Sequence, residues 1–190
     1  MEVLPDDLVR ECLLRVPYNS HNNLKAVCRS WEAMVSNPKF YADRKISGTS
    51  QQLLCMTQWV HKLIDNLVFA ITVYDPVKGT YDSLPPIDDP HIAGIPRWCQ
   101  CVAVNRKLVL MGGFYPSGWS LRKSVYIYDF ESARWRRAAD MPTARSGFAC
   151  CVSPSNGLVY VAGGLNEHGN PLAAAEAYNV EEDKWEIMPP

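Results

Sequence analysis

Two patterns predict an α+β multidomain chain, with a small all-α domain ahead of an all-β region. Apolar residues fall at helical spacing, punctuated by prolines, through residue 41. Beyond residue 52 the chain changes to short strand-like runs, and a set made of a glycine pair, a Tyr and a Trp recurs after about 50 residues. The reading is a helical domain over 1–41, a connector over 42–52 and a β region over 53–190.

The helical domain is built in three pieces. Pro5 suits a helix start, where the first amides have no partner inside the helix, and Asp6 and Asp7 put negative charge at the positive end of its dipole. Leu8, Val9, Cys12, Leu13 and Val16 then form one apolar stripe, which Pro17 closes. Leu24, Val27, Cys28, Trp31, Met34 and Val35 mark a second face, read as two short helices interrupted at Ser30. Pro38 starts a last short turn carrying Phe40 and Tyr41. About 40 residues bury too little surface to be comfortable alone, so the remaining apolar face reads as a docking face.

Residues 42–52 are polar, a connector with helical character at its start. Strands are then expected at Leu53–Thr57, Leu67–Tyr74 and Tyr81–Leu84, with a loop over Pro85–Pro96. From Arg97 the chain repeats itself. Gly112-Gly113 recurs as Gly163-Gly164, Tyr128 as Tyr178, Trp135 as Trp185, and Arg97 is matched with Arg145. Each full unit, 97–142 and 145–190, divides into four strands. A four-stranded repeat of about 50 residues with a glycine pair after its second strand is the pattern of a β-propeller blade. The glycine pair permits a sharp turn and a close approach to a neighbour, and the Tyr and Trp rings pack neighbouring sheets. Tyr74 and Tyr81 keep the same seven-residue spacing, so 53–86 reads as a partial unit lacking its first strand.

The order Leu4-Pro5-x-Asp7-Leu8, Cys12-Leu13-x-x-Val16-Pro17, Leu24, Val27-Cys28-Arg29-Ser30-Trp31 and Phe40 resembles the F-box. The repeats from Leu53 onward resemble kelch repeats, and the combination is closest to a plant family that joins an F-box to a kelch propeller. That resemblance implies a Skp-type adaptor as partner and a place in a Skp–cullin–F-box ubiquitin ligase. It implies Leu4, Pro5, Leu8, Cys12, Leu13, Val16, Leu24, Val27, Cys28 and Trp31 as helical core and adaptor face. Some family members are associated with turnover of phenylalanine ammonia-lyase or of cytokinin response regulators, and the resemblance extends that target list here. A closed propeller needs about 4–8 blades. Two full blades and a partial one make an incomplete propeller, so the chain is expected to be truncated within it.

The remaining features narrow the alternatives. Net charge is −1, which gives nucleic acid no basic footprint. The longest apolar run, near Leu67–Val73, is too short to span a bilayer, and the N-terminus lacks a signal-peptide pattern. Seven scattered cysteines read as reduced, buried thiols of a cytoplasmic or nuclear protein. Cys99-x-Cys101 lacks a second pair for a metal, and Cys150 and Cys151 face opposite sides of a strand. His21, His61, His91 and His168 are scattered, with all but His61 read as surface or helix-end residues, and no catalytic triad or phosphate loop is found. No cofactor or metal is expected. Arg97 and Arg145 read either as basic groups gripping an acidic target or as structural arginines bonded to backbone, and Trp119 reads as a loop contact for a target. The expected function is a non-catalytic substrate receptor that delivers a target for degradation. A second reading is an adaptor-binding competitor that holds no target, and a third is a propeller oxidase.

Overall fold

Pro5 flanks the first helix, α1 (Asp6–Leu14), and its carbonyl accepts the Val9 amide at 3.0 Å. The computed structural model describes residues 4–62, 66–89, 94–115 and 120–189, with the side chains of 59–62 and 66–68 left aside. The described chain forms two compact units. The first holds the residues through Leu54 together with the turns Tyr74–Thr80 and Phe130–Ala133. The second holds the remaining β segments.

In the first unit a 3-10 turn at Tyr18–Ser20 leads into α2 (His21–Lys25), followed by α3 (Arg29–Ser36) and α4 (Pro38–Ile46). The break between α2 and α3 lies at Ala26–Cys28, ahead of the expected Ser30, because Cys28 is fully extended (φ −162°). The last element is a nine-residue helix and not a short turn. Asn37 caps it through a 2.9 Å bond from the Lys39 amide, Pro38 sits at its first position, and Arg44 and Lys45 lie at its negative end. Leu13, Leu14, Val35, Phe40 and Tyr41 form the core, with Val9, Leu24, Trp31 and Met34 at its edge.

The second unit is a series of antiparallel sheets with strands in chain order. The first has β1 (Leu54–Lys62), β2 (Asn66–Asp75) and β3 (Thr80–Ser83). The second has β4 (Gln100–Val104), β5 (Lys107–Met111), β6 (Val125–Asp129) and β7 (Arg134–Ala138). The third has β8 (Ala149–Val152), β9 (Val159–Ala162), β10 (Ala175–Asn179) and β11 (Lys184–Ile187). Three, four and four strands are the partial and the two full blades of an incomplete propeller.

Period-two alternation explains the stacking. Val109, Met111, Val125 and Ile127 share one face of the second sheet and pack with Val159, Val161 and Tyr178 of the third. Leu108, Leu110, Tyr126 and Tyr128 on the opposite face are buried as well, so the two inner strands of the middle sheet, β5 and β6, are covered on both faces. Tyr128 pairs across the ladder with Trp135, ring centroids 5.2 Å apart, and Tyr178 with Trp185, stacked at 4.7 Å. Each indole N–H reaches back to the preceding repeat: Trp135 donates to the Pro85 carbonyl (2.7 Å) and Trp185 to that of Ala139 (2.9 Å). Tyr81, at the matching place in the partial unit, is largely exposed and does not reproduce that burial.

The seven-residue Tyr-to-Trp spacing has a backbone cause. Five residues after the Tyr, the turn needs a left-handed residue, supplied by Gly79, Ala133 and Asp183 (φ +65°, +52° and +56°). The second glycine of each pair is required by space. A Cβ on Gly113 would lie 2.5 Å from the Arg97 carbonyl, and one on Gly164 2.7 Å from that of Ser146. Gly112 would meet the Arg145 carbonyl at 2.6 Å, whereas Gly163 has its nearest neighbour at 3.8 Å.

Candidate partner-binding surfaces

Helix α1 divides its apolar stripe between two sides. Val9, Leu13 and Leu14 turn to the core. Leu4 (52% exposed), Leu8 (49%) and Cys12, four residues apart, stay in solvent beside exposed Pro5. The α2–α3 break adds Val27 (60% exposed) and Cys28. Of the ten residues expected to form core and docking face, Leu13 is core, Val16, Leu24 and Trp31 are half-buried, and the other six are exposed. Isolated exposed apolar residues are ordinary, but a row of them on one helix marks an interaction surface.

The interior of the helical unit is polar at two places that hydrophobic periodicity does not reveal. Arg44 is buried and donates to the carbonyls of Leu14 (2.5 Å), Val16 (2.6 Å) and Thr49 (2.9 Å). It thereby satisfies the last carbonyl of α1 and that of Val16 just beyond it. His21, expected as a surface or helix-end residue, is the first residue of α2 and is buried. Its Nε2 lies 3.0 Å from the Val16 carbonyl, and its ring meets Phe40 edge-on at 5.6 Å. Burial pushes its pKa down to about 4 despite the Val16 bond, so the ring is neutral at physiological pH.

In the β unit the ladder corrects the match of Arg97 with Arg145. Arg97 exchanges both backbone bonds with Phe114, and Ser146 does the same with Leu165. Phe114 and Leu165 each follow a glycine pair, so Arg97 corresponds to Ser146 and Arg145 to Pro96. The two arginines consequently differ in role. Arg145 is fully buried. It lies 2.7 Å from Glu176 and donates to the carbonyls of Gly163 and Ala174, both at 3.0 Å. It has no surface to offer a target, and the structural reading replaces the target-binding one. Arg97 is half-buried, its guanidinium 5.9 Å from the Phe69 ring. Trp119 lies outside the described residues.

Sequence reasoning missed Glu176 and Trp98. Glu176 was detectable as a lone acid inside Ala173–Tyr178, an otherwise apolar strand. Trp98 was hidden by the one-residue misalignment. In register it corresponds to Gly147, and it adopts the same left-handed backbone, φ +53° against +58°. That conformation costs a residue with a side chain about 1–2 kcal/mol.

The cysteines depart from expectation too. All seven are free, but Cys12, Cys28 and Cys151 are exposed and not buried. Burial pushes the Cys99 thiol up to about 12 and those of Cys55 and Cys150 to about 11, with Cys101 adding to each shift. These three remain protonated thiols at neutral pH. Among the described residues no group of three or more His, Cys, Asp or Glu converges to hold a metal, and no helix is long and apolar enough to cross a membrane.

Comparison with known proteins joins these parts. The F-box domain model matches residues 1–43, and the Kelch motif model matches 99–142 and 144–190. The F-box/kelch-repeat protein At1g80440 of Arabidopsis thaliana is 38% identical over 192 residues, which is 98% of this chain and 54% of that protein. The chain belongs to the plant F-box/kelch-repeat family. Two further F-box/kelch-repeat proteins of Arabidopsis thaliana, At2g44130 and At1g15670, are 33% and 34% identical over 98% of this chain. They are covered over 52% and 54% of their own length, so the chain spans about half of the curated relatives it matches. In these terms the first unit carries the F-box, the second and third sheets are kelch blades, and the exposed α1 row is a surface of the F-box.

Proposed function

We propose that the chain is a substrate-receptor subunit of a Skp–cullin–F-box ubiquitin ligase, working in the cytoplasm or nucleus. The F-box holds a Skp-type adaptor and the kelch blades hold a target protein destined for degradation. The observation that carries this reading is the apolar row Leu4, Leu8 and Cys12, left in solvent while the helical core is filled by other residues. A receptor of this kind makes and breaks no covalent bond. It raises the effective concentration of the target at the ligase, so that ubiquitin transfer becomes nearly intramolecular.

Co-precipitation with a Skp-type adaptor tests it. A Leu4→Ala/Leu8→Ala variant keeps the core, so its circular dichroism stays that of the wild type while adaptor binding falls at least tenfold. Equal binding by variant and wild type sinks the assignment.

A further inference from the structure

The blades meet through equivalent faces. Val109, Met111, Val125 and Ile127 of the second sheet are fully buried and pack with the third. Counted from the glycine pair and from Tyr178, the third sheet has Tyr160, Ala162, Ala175 and Ala177 at those places. They lie on the face opposite Val159, Val161 and Tyr178, which pack on the second sheet. Ala162 there is exposed, and Tyr160 and Ala175 are half-buried. The first sheet has an open face as well. Ile71 lines a cavity with Trp135, so that side of β2 turns to the second blade. Gln58 donates to Thr72 on the other side, where Met56, two residues before Gln58, is exposed.

The pairs that bridge one junction show that these two faces match each other. Between the second and third blades Lys107 meets Glu181 and Arg136 meets Asp183. On the third sheet the places of Lys107 and Arg136 are held by Leu158 and Glu186. At the tip of the β2–β3 hairpin the places of Glu181 and Asp183 are held by Val77, 88% exposed, and by Gly79 beside exposed Lys78. One ion pair thus becomes an apolar pair, and the other becomes a pair of reversed sign. The second charge on the third sheet's open face, Lys184, lies 4.0 Å from Glu182. Met56, Gln58, Thr72 and Tyr81 of the first sheet are uncharged. Backbone carbonyls follow the same rule. Trp135 and Trp185 each donate to the carbonyl four residues past the aromatic ring of the preceding repeat. Tyr81, 69% exposed, holds their place in the first sheet, and four residues past Trp185 stands Pro189.

We propose that two copies of the 190-residue chain join end to end, the open face of each third sheet packing on the first sheet of the other copy. Each chain supplies three sheets, and two copies bring six, within the range of about four to eight that closes a propeller. A contact between unlike faces makes a ring when its rotation closes, and the two junctions of this ring are identical. Each junction repeats the nearest-neighbour packing that already joins the second and third blades.

Light scattering and native mass spectrometry of the full chain across a dilution series test this. The expected species has twice the mass of one chain. Ala162→Glu on the third sheet and Met56→Lys on the first both change exposed residues. Each variant should keep the circular dichroism of the wild type and raise the dissociation constant at least tenfold. Mixing the two variants should restore the doubled mass with one chain of each kind. One junction is then unaltered, and the other brings the introduced carboxylate to the introduced ammonium group. A chain that stays monomeric throughout, an open-ended series of larger species, or a dimer that survives both variants overturns the proposal. A mixture that stays monomeric overturns it too, because the third and first sheets are then not the faces that meet. Neither variant alters the α1 row, so adaptor co-precipitation of the same proteins reports on the ligase-receptor reading separately.

Discussion

Single residues carry large and opposite effects at equivalent places. Ala133 and Asp183 occupy the same left-handed turn position in consecutive blades. Ala133→Gly relieves strain and should raise stability by about 0.5–1 kcal/mol. Asp183→Gly relieves the same strain but loses more. The Asp183 carboxylate accepts the Ala139 amide at 2.9 Å and the Tyr178 hydroxyl, and lies 3.5 Å from Arg136. That substitution should cost about 1–2 kcal/mol. Urea denaturation of both variants checks the pair, and equal signs would contradict the account. His21 is the other residue with a measurable signature. Its folded pKa, about 4, lies below its ordinary 6.5, so the unfolded chain binds the extra proton. Its contribution is therefore complete above pH 6.5 and is lost as pH falls from there to about 4. Stability should drop by about 2 kcal/mol between pH 7 and pH 5 from this group alone. Denaturation at several pH values, with His21→Phe flattening the slope, is the measurement.

At the scale of elements, the third blade is joined internally by one buried ion pair. Arg145 precedes β8 and Glu176 lies on β10, so their contact ties the start of one strand to another strand of the same sheet. Removing one partner leaves the other charged and dry. Glu176→Ala should cost about 3–5 kcal/mol, whereas Arg145→Met/Glu176→Leu together should cost much less. Thermal melts of the single and double variants decide this, and additive losses would mean that the pair is not coupled. Helices and strands were legible here for definite reasons. Proline punctuation located the ends of α1 and the start of α4, and the repeat gave each full unit the four strands it has, β4 to β7 and β8 to β11. What stayed hidden was polar and out of period. Arg44 and His21 are bound to carbonyls from distant segments, and no local pattern announces such partners. The correspondence of Arg97 with Arg145 failed because the two arginines stand at different places, three residues ahead of β4 and four ahead of β8. Only the backbone ladder shows that Arg97 stands with Ser146.

At the scale of the whole chain, the two compact units have different chemical sensitivities. His21 lies in the helical unit, and the Arg145–Glu176 pair in the β unit. Acidification to pH 5 should move the unfolding of amides in α1 to α4 while leaving the protection of β5 and β9 unchanged, as read by hydrogen exchange. Uniform loss of protection in both would show that they open together. The indole bonds have a further consequence in time. Trp135 and Trp185 both reach carbonyls earlier in the chain, at Pro85 and Ala139. During synthesis each blade therefore emerges from the ribosome after the surface that receives its tryptophan has already been made. For these two indoles assembly can run in the direction of translation, since neither waits on a segment still to be synthesised.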